Sequence, residues 1–131
     1  MKNKYAVAVA VGIILLASNI LMGFVLDAAL PSLKAEYETP AFRPWSDPIM
    51  SLFFAYPVVL GVLLSYVWFI TRKSWKSGLE FGIAFGLLMS VPMFIVNYSS
   101  FTFSTLMVGT WALMNFVNMI VAGLALERLD G

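Results

Sequence analysis

Charged residues fall in clumps along this chain, and the stretches between them are almost wholly apolar. An uncharged run extends from Tyr5 to Leu26, and a second from Pro48 to Thr71. A third, Phe81 to Leu126, is roughly twice the ~20 residues that cross about 30 Å of hydrocarbon. It must fold back on itself. Its polar cluster, Asn97, Tyr98, Ser99 and Ser100, is where a tight turn is expected. The pattern therefore predicts four helices, over about 5–29, 48–71, 78–96 and 101–126, joined by a long 30–47 loop and two short connections. An even number of spans puts both termini on one side.

Composition turns those helices into membrane spans. Of the 131 residues 61% are hydrophobic and 11% charged, with a mean hydropathy of +0.90. A soluble domain is nearer half apolar and about a quarter charged. The reading is a single-domain, all-α integral membrane four-helix bundle with the lipid bilayer as its first partner. A formal charge of +1 gives no field for nucleic acid. The chain has no cysteine and no histidine, which removes disulfides, thiol nucleophiles, Cys/His zinc sites and histidine acid–base chemistry.

Lys2, Lys4, Arg72, Lys73, Lys76 and Arg128 share one face in this topology, against Lys34 and Arg43 on the other. The positive-inside rule then makes both termini cytoplasmic. Tyr5, Trp68 and Trp75 fall at the inner boundary, and Tyr37, Phe42, Trp45 and Tyr98 near the outer one. Such rings settle at headgroup depth. A cleavable signal peptide is the rival reading of the N-terminus. Its apolar run is long for one, and no A-x-A site follows.

The third span opens with Ser77 and Glu80 at capping-box spacing. Gly78, Gly82, Gly86 and Ser90 then recur every fourth residue. Such a stripe lets another backbone approach closely, inside the bundle or in a second subunit. Gly61 and Ser65 on the second span form a shorter small-residue pair, a candidate partner for the stripe. Gly12, Asn19 and Gly23 share a face of the first span. On the fourth, Ser104, Trp111, Asn115, Asn118 and Ala122 lie on one side, with Thr102, Thr105, Gly109 and Gly123 on the other. Asn19, Asn115 and Asn118 should face protein, because an unpaired amide in lipid is costly. Pro57 and Pro92 each remove a helical hydrogen bond.

Candidate chemistry is thin. A proton-coupled transporter wants a carboxylate near the midplane, whereas Asp27 and Glu80 sit at span ends. Met89 and Met93 have the spacing of a soft Cu(I) pair, yet methionine also fills irregular apolar gaps. Asn97-Tyr98-Ser99 matches a glycosylation sequon in a turn too close to the bilayer to serve as one. No catalytic residue, metal ligand or cofactor of its own is expected, and no residue is singled out for cofactor binding. The 30–47 loop carries Tyr37, Phe42, Arg43 and Trp45 among prolines, types suited either to lying on headgroups or to contacting a partner.

The stretch Gly78-Leu-Glu-Phe-Gly-Ile-Ala-Phe-Gly-Leu-Leu-Met-Ser-Val-Pro92, with Arg43-Pro44 leading into the second span, resembles a group of small four-span bacterial membrane proteins of uncharacterised function. The resemblance covers the last three spans and implies a bacterial inner membrane. It carries no activity or site residues. The function expected on these grounds is a non-catalytic accessory or assembly subunit packed against other membrane subunits. The alternative is a small oligomeric transporter using Asn19, Asn115 and Asn118.

Overall fold

A computed structural model describes residues 3–131, and these are helical with no strand. Helix α1 spans Lys4–Ala29, α2 Pro31–Tyr37, α3 Ser51–Thr71, α4 Gly78–Ser100 and α5 Thr105–Asp130. Short 3-10 turns, Pro48–Met50 and Arg72–Ser74, flank α3. With those turns added to α3, the four long helices are each long and apolar enough to cross a membrane. Lys2, counted above with the basic face, lies outside the described residues.

Each span begins at a side-chain cap that satisfies an otherwise orphaned N–H. Asn3 accepts from Tyr5, Asp47 from Ile49, Ser77 from Glu80 and Ser104 from Met107. The cap at Ser104 bears on the expected turn. Asn97, Tyr98, Ser99 and Ser100 form the last turn of α4, and the chain reverses over Phe101–Ser104 instead. The reason is local. The Asn97 amide donates to the Met93 carbonyl at 2.9 Å and the Ser99 hydroxyl to Val96 at 3.2 Å, so their polar groups are answered by the helix itself. The sequon is therefore helical.

Helix α1 packs along both α3 and α5, and α5 along both α1 and α4. The bundle thus consists of two hairpin-like pairs, α1/α3 and α4/α5, joined at the α1–α5 seam. Helices α3 and α4, consecutive in sequence, meet chiefly through rings at one end, where Phe81 stacks edge-on against Trp68 and Trp75. That end holds Asn3 and Gly131 and is called the terminal end. The opposite, loop end is covered by α2, which lies against α1 and α5.

Glycines decide which helices pair. A methyl group on Gly61 would sit 2.5 Å from Gly12 Cα, so α3 touches α1 backbone to backbone. One on Gly78 would strike the Gly123 carbonyl oxygen, and one on Gly82 would lie 2.7 Å from Ile120 Cα. Gly86 meets the Phe116 ring. The α4 stripe is consequently filled by α5, and the candidate match with Gly61 and Ser65 does not form. Gly61 is committed to Gly12, while Ser65 donates to its own Gly61 carbonyl at 2.7 Å. Ser90 continues the stripe as a buried residue whose hydroxyl has no partner. Pro57 is fully buried, whereas Pro92 is exposed.

Candidate functional site

Polar side chains gather at three levels. Midway along α1 and α5, buried Asn118 donates from Nδ2 to Asn19 Oδ1 at 3.1 Å. This bond crosses the seam between the two helix pairs, and Asn118 Oδ1 beside it has no partner. Leu15 and Met119, both fully buried, lie one turn from Asn19 and beside Asn118 in sequence, so the pair sits in dry surroundings.

Asn115 turns the other way. Its Oδ1 accepts from the Tyr56 hydroxyl of α3 at 2.8 Å, and its Nδ2 donates to Met93 Sδ of α4 at 3.0 Å. One α5 side chain therefore bridges the edge along which α3 and α4 stand apart. It also occupies Met93. Met89, its expected companion for a soft metal, is exposed. All three asparagines bond within the bundle, Asn118 to Asn19 of α1 and Asn115 to Tyr56 of α3 and Met93 of α4.

At the loop end the 30–47 segment folds back on its own bundle. The Trp111 indole donates to the Tyr37 hydroxyl, and Phe42 packs between Tyr37, Trp111 and Phe103. Burial holds the Tyr37 hydroxyl above its ordinary pKa, with the negative charges of Asp27 and Glu36 adding to it; the Trp111 bond opposes both. Arg43 and Trp45 face outward. Arg43 pairs with Asp47 at 2.9 Å, and Trp45, 68% exposed, packs on Phe53 and Phe54. Of the four loop residues singled out by sequence, two thus belong to the fold and two to the surface. Among the described residues, no three acidic side chains gather into a cluster able to hold a metal ion.

The terminal end contains contacts that sequence reasoning missed. Asp130 accepts from Trp68 Nε1 at 2.9 Å and pairs with Arg72 at 3.0 Å. Glu127 accepts from the Gly78 N–H at 3.0 Å, so the last turn of α5 caps the first turn of α4. A signal existed. Carboxylates in the last turn of a helix oppose its dipole and ask for an external donor. The capping box is also met differently from expectation, because Glu80 accepts from the Lys76 N–H, one residue before the cap.

Comparison with protein-family models, with curated proteins and with solved structures finds no match to this chain. The resemblance to small four-span bacterial proteins gains no support from it.

Proposed function

We propose that this chain is a non-catalytic accessory or assembly subunit of a membrane complex, held in a bacterial cytoplasmic membrane with both termini inside. The carrying observation concerns two glycines. At Gly23 of α1 and Gly109 of α5 an added methyl would meet nothing within 4 Å, whereas every other glycine in the long helices meets a neighbouring helix. Glycine lowers helix propensity by about 1 kcal/mol relative to alanine. In membranes it is favoured where another backbone comes close. Gly23 and Gly109 suit helices of another chain, and outward-facing Arg43 and Trp45 extend that contact at the same end. The orientation rests on the excess of basic side chains at the terminal end.

The test is purification in mild detergent, followed by native electrophoresis and mass spectrometry. Wild type should migrate with a partner at fixed stoichiometry, and Gly23→Leu or Gly109→Leu should release it with the melting temperature unchanged. Migration as a lone chain, unaltered by either substitution, overturns the proposal. Gly82→Leu is uninformative here, since Gly82 is filled by α5. A second reading, a small oligomeric transporter, is favoured by the Tyr56–Asn115–Met93 bridge across the open α3–α4 edge. It requires that Asn115→Leu abolish flux of a substrate while leaving assembly intact.

A further inference from the structure

We infer that the terminal end is a docking surface for the headgroups of anionic phospholipids, with Lys73, Lys76 and Arg128 as the contacting side chains. The two signs of charge are used differently there. Each carboxylate is engaged by a donor of the chain itself: Glu80 by the Lys76 N–H at 2.7 Å, Glu127 by the Gly78 N–H at 3.0 Å. Asp130 takes both the Trp68 indole and Arg72, and its side chain is only 9% exposed. Arg72 is thereby paired, and Lys4 lies over the Phe69 ring at 5.4 Å from its centroid; the other three cations have no such partner among the described residues. Lys73, Lys76 and Arg128 are exposed, and none lies within ion-pair distance of a carboxylate among the described residues.

Their position matches a bilayer boundary. Lys73 and Lys76 lie immediately after the apolar α3 and on either side of Trp75. The Trp75 indole is tied to Thr71 Oγ1 at 2.9 Å, and its ring packs on Phe81 and Phe85. An indole so fixed, with its body apolar and its edge polar, belongs at headgroup depth. The ammonium groups beside it then stand among phosphates. The loop end shows the opposite arrangement: Arg43 is neutralised by Asp47, and Asp27, Glu36 and Glu38 outnumber the remaining Lys34. Among the described side chains the terminal end carries Lys4, Arg72, Lys73, Lys76 and Arg128 against Glu80, Glu127 and Asp130, so it has an excess of positive charge where the loop end has an excess of negative charge.

Each lysine near an anionic surface contributes about five-fold in binding, the equivalent of ~1 kcal/mol. The experiment reconstitutes the full chain in phosphatidylcholine vesicles. It compares spin-labelled phosphatidylglycerol with spin-labelled phosphatidylcholine in the motionally restricted shell. A preference of about five-fold or more for the anionic label is expected at low salt, falling toward unity near 1 M salt, where the Debye length is about 3 Å. Lys73→Gln with Lys76→Gln should remove most of that preference, and Arg128→Gln part of it. Lys34→Gln at the other end should change nothing. Helicity measured by circular dichroism confirms that each variant is folded. Equal partition of the two labels, or an equal loss with Lys34→Gln, overturns the inference. So does full displacement by inorganic phosphate at constant ionic strength, which would make the surface a site for a free anion.

Discussion

The terminal and loop halves of this bundle are built by different means. Every buried residue of α1 lies between Val7 and Asn19, and every buried residue of α4 between Gly78 and Ser90. In those segments backbones touch through Gly12 with Gly61 and Gly78 with Gly123. Beyond them α1 and α4 are at most partly buried, and contact passes to long side chains: Tyr56 to Asn115, Trp111 to Tyr37, Phe42 to Phe103. Lipid tails are as apolar as leucine, so helices in a membrane gain little from burying apolar area alone. Close backbone approach and interhelical hydrogen bonds take over. The terminal half uses mainly the first and the loop half mainly the second.

The largest predicted effect tests the backbone contacts. In Gly78→Leu the new side chain starts against the Gly123 carbonyl, which cannot yield without moving α5. Overpacking costs about 1–3 kcal/mol in an adaptable core, and this site belongs at or above the top of that range. Thermal unfolding in detergent should show a large loss for Gly78→Leu and almost none for Gly109→Leu. Equal losses at the two positions would erase the distinction between the halves. Gly86→Ala should fall between them, since its neighbour is a Phe116 ring able to turn.

The asparagine pair comes next. Asn118→Leu removes the one side-chain bond found across the α1–α5 seam at mid-depth among the described residues and leaves the buried Asn19 Oδ1 without that donor. A loss of about 1–2 kcal/mol is expected. Adding Asn19→Leu should restore part of it. A double-mutant cycle in the same detergent should give a coupling of about 0.6–1.7 kcal/mol. Additive effects would mean that the two amides do not act as a pair.

How legible this was in the sequence divides along the same line. Four spans followed from charge spacing, because a charge inside hydrocarbon is costly whatever the neighbours are. The stripe on α4 was visible, since a period of four residues is a property of one helix. Its partner was not. Gly61 and Gly123 are both small and lie near comparable depths, and only the assembled bundle assigns Gly61 to Gly12 and Gly123 to Gly78. The same limit explains Tyr56 and Asp130, whose bonds join residues 59 and 62 positions apart. The misplaced α4 turn has a different cause. Asn97 and Ser99 have turn-forming side chains, but those groups bond back to α4 carbonyls and so extend the helix.

Trp68→Phe should have a smaller effect, because the ring keeps its edge-on contact with Phe81 while losing the indole bond to Asp130. About 1 kcal/mol is expected from such a bond, with Arg72 still pairing the carboxylate. A loss equal to that of Gly78→Leu would place the terminal end's cohesion in its polar contacts rather than its glycines.

The smallest effect is a local one at the loop end. Asp47 accepts from the Ile49 N–H, the main reason its carboxyl is held below the usual carboxylate range, and from Arg43, which acts in the same direction. A depressed pKa in the folded chain means that these bonds contribute fully above the ordinary carboxylate pKa and are lost as pH falls through the lower folded value. Acidification should therefore loosen the start of the second span, from Trp45 to Met50, while α4 and α5 keep their contact. Carboxyl carbon chemical shifts of Asp47 in micelles, followed through the acid range, should give a midpoint below that of an aspartate in an unfolded peptide. Backbone amide signals of Ile49 should shift with the same midpoint. Asp47→Asn should abolish that shift and leave the unfolding temperature at neutral pH almost unchanged, because the cap is solvent-exposed and an asparagine oxygen still accepts from Ile49. A midpoint at or above that of the peptide aspartate would show that the Ile49 N–H and Arg43 do not hold the carboxylate, and that the Asp47 cap adds nothing to the order of the loop end.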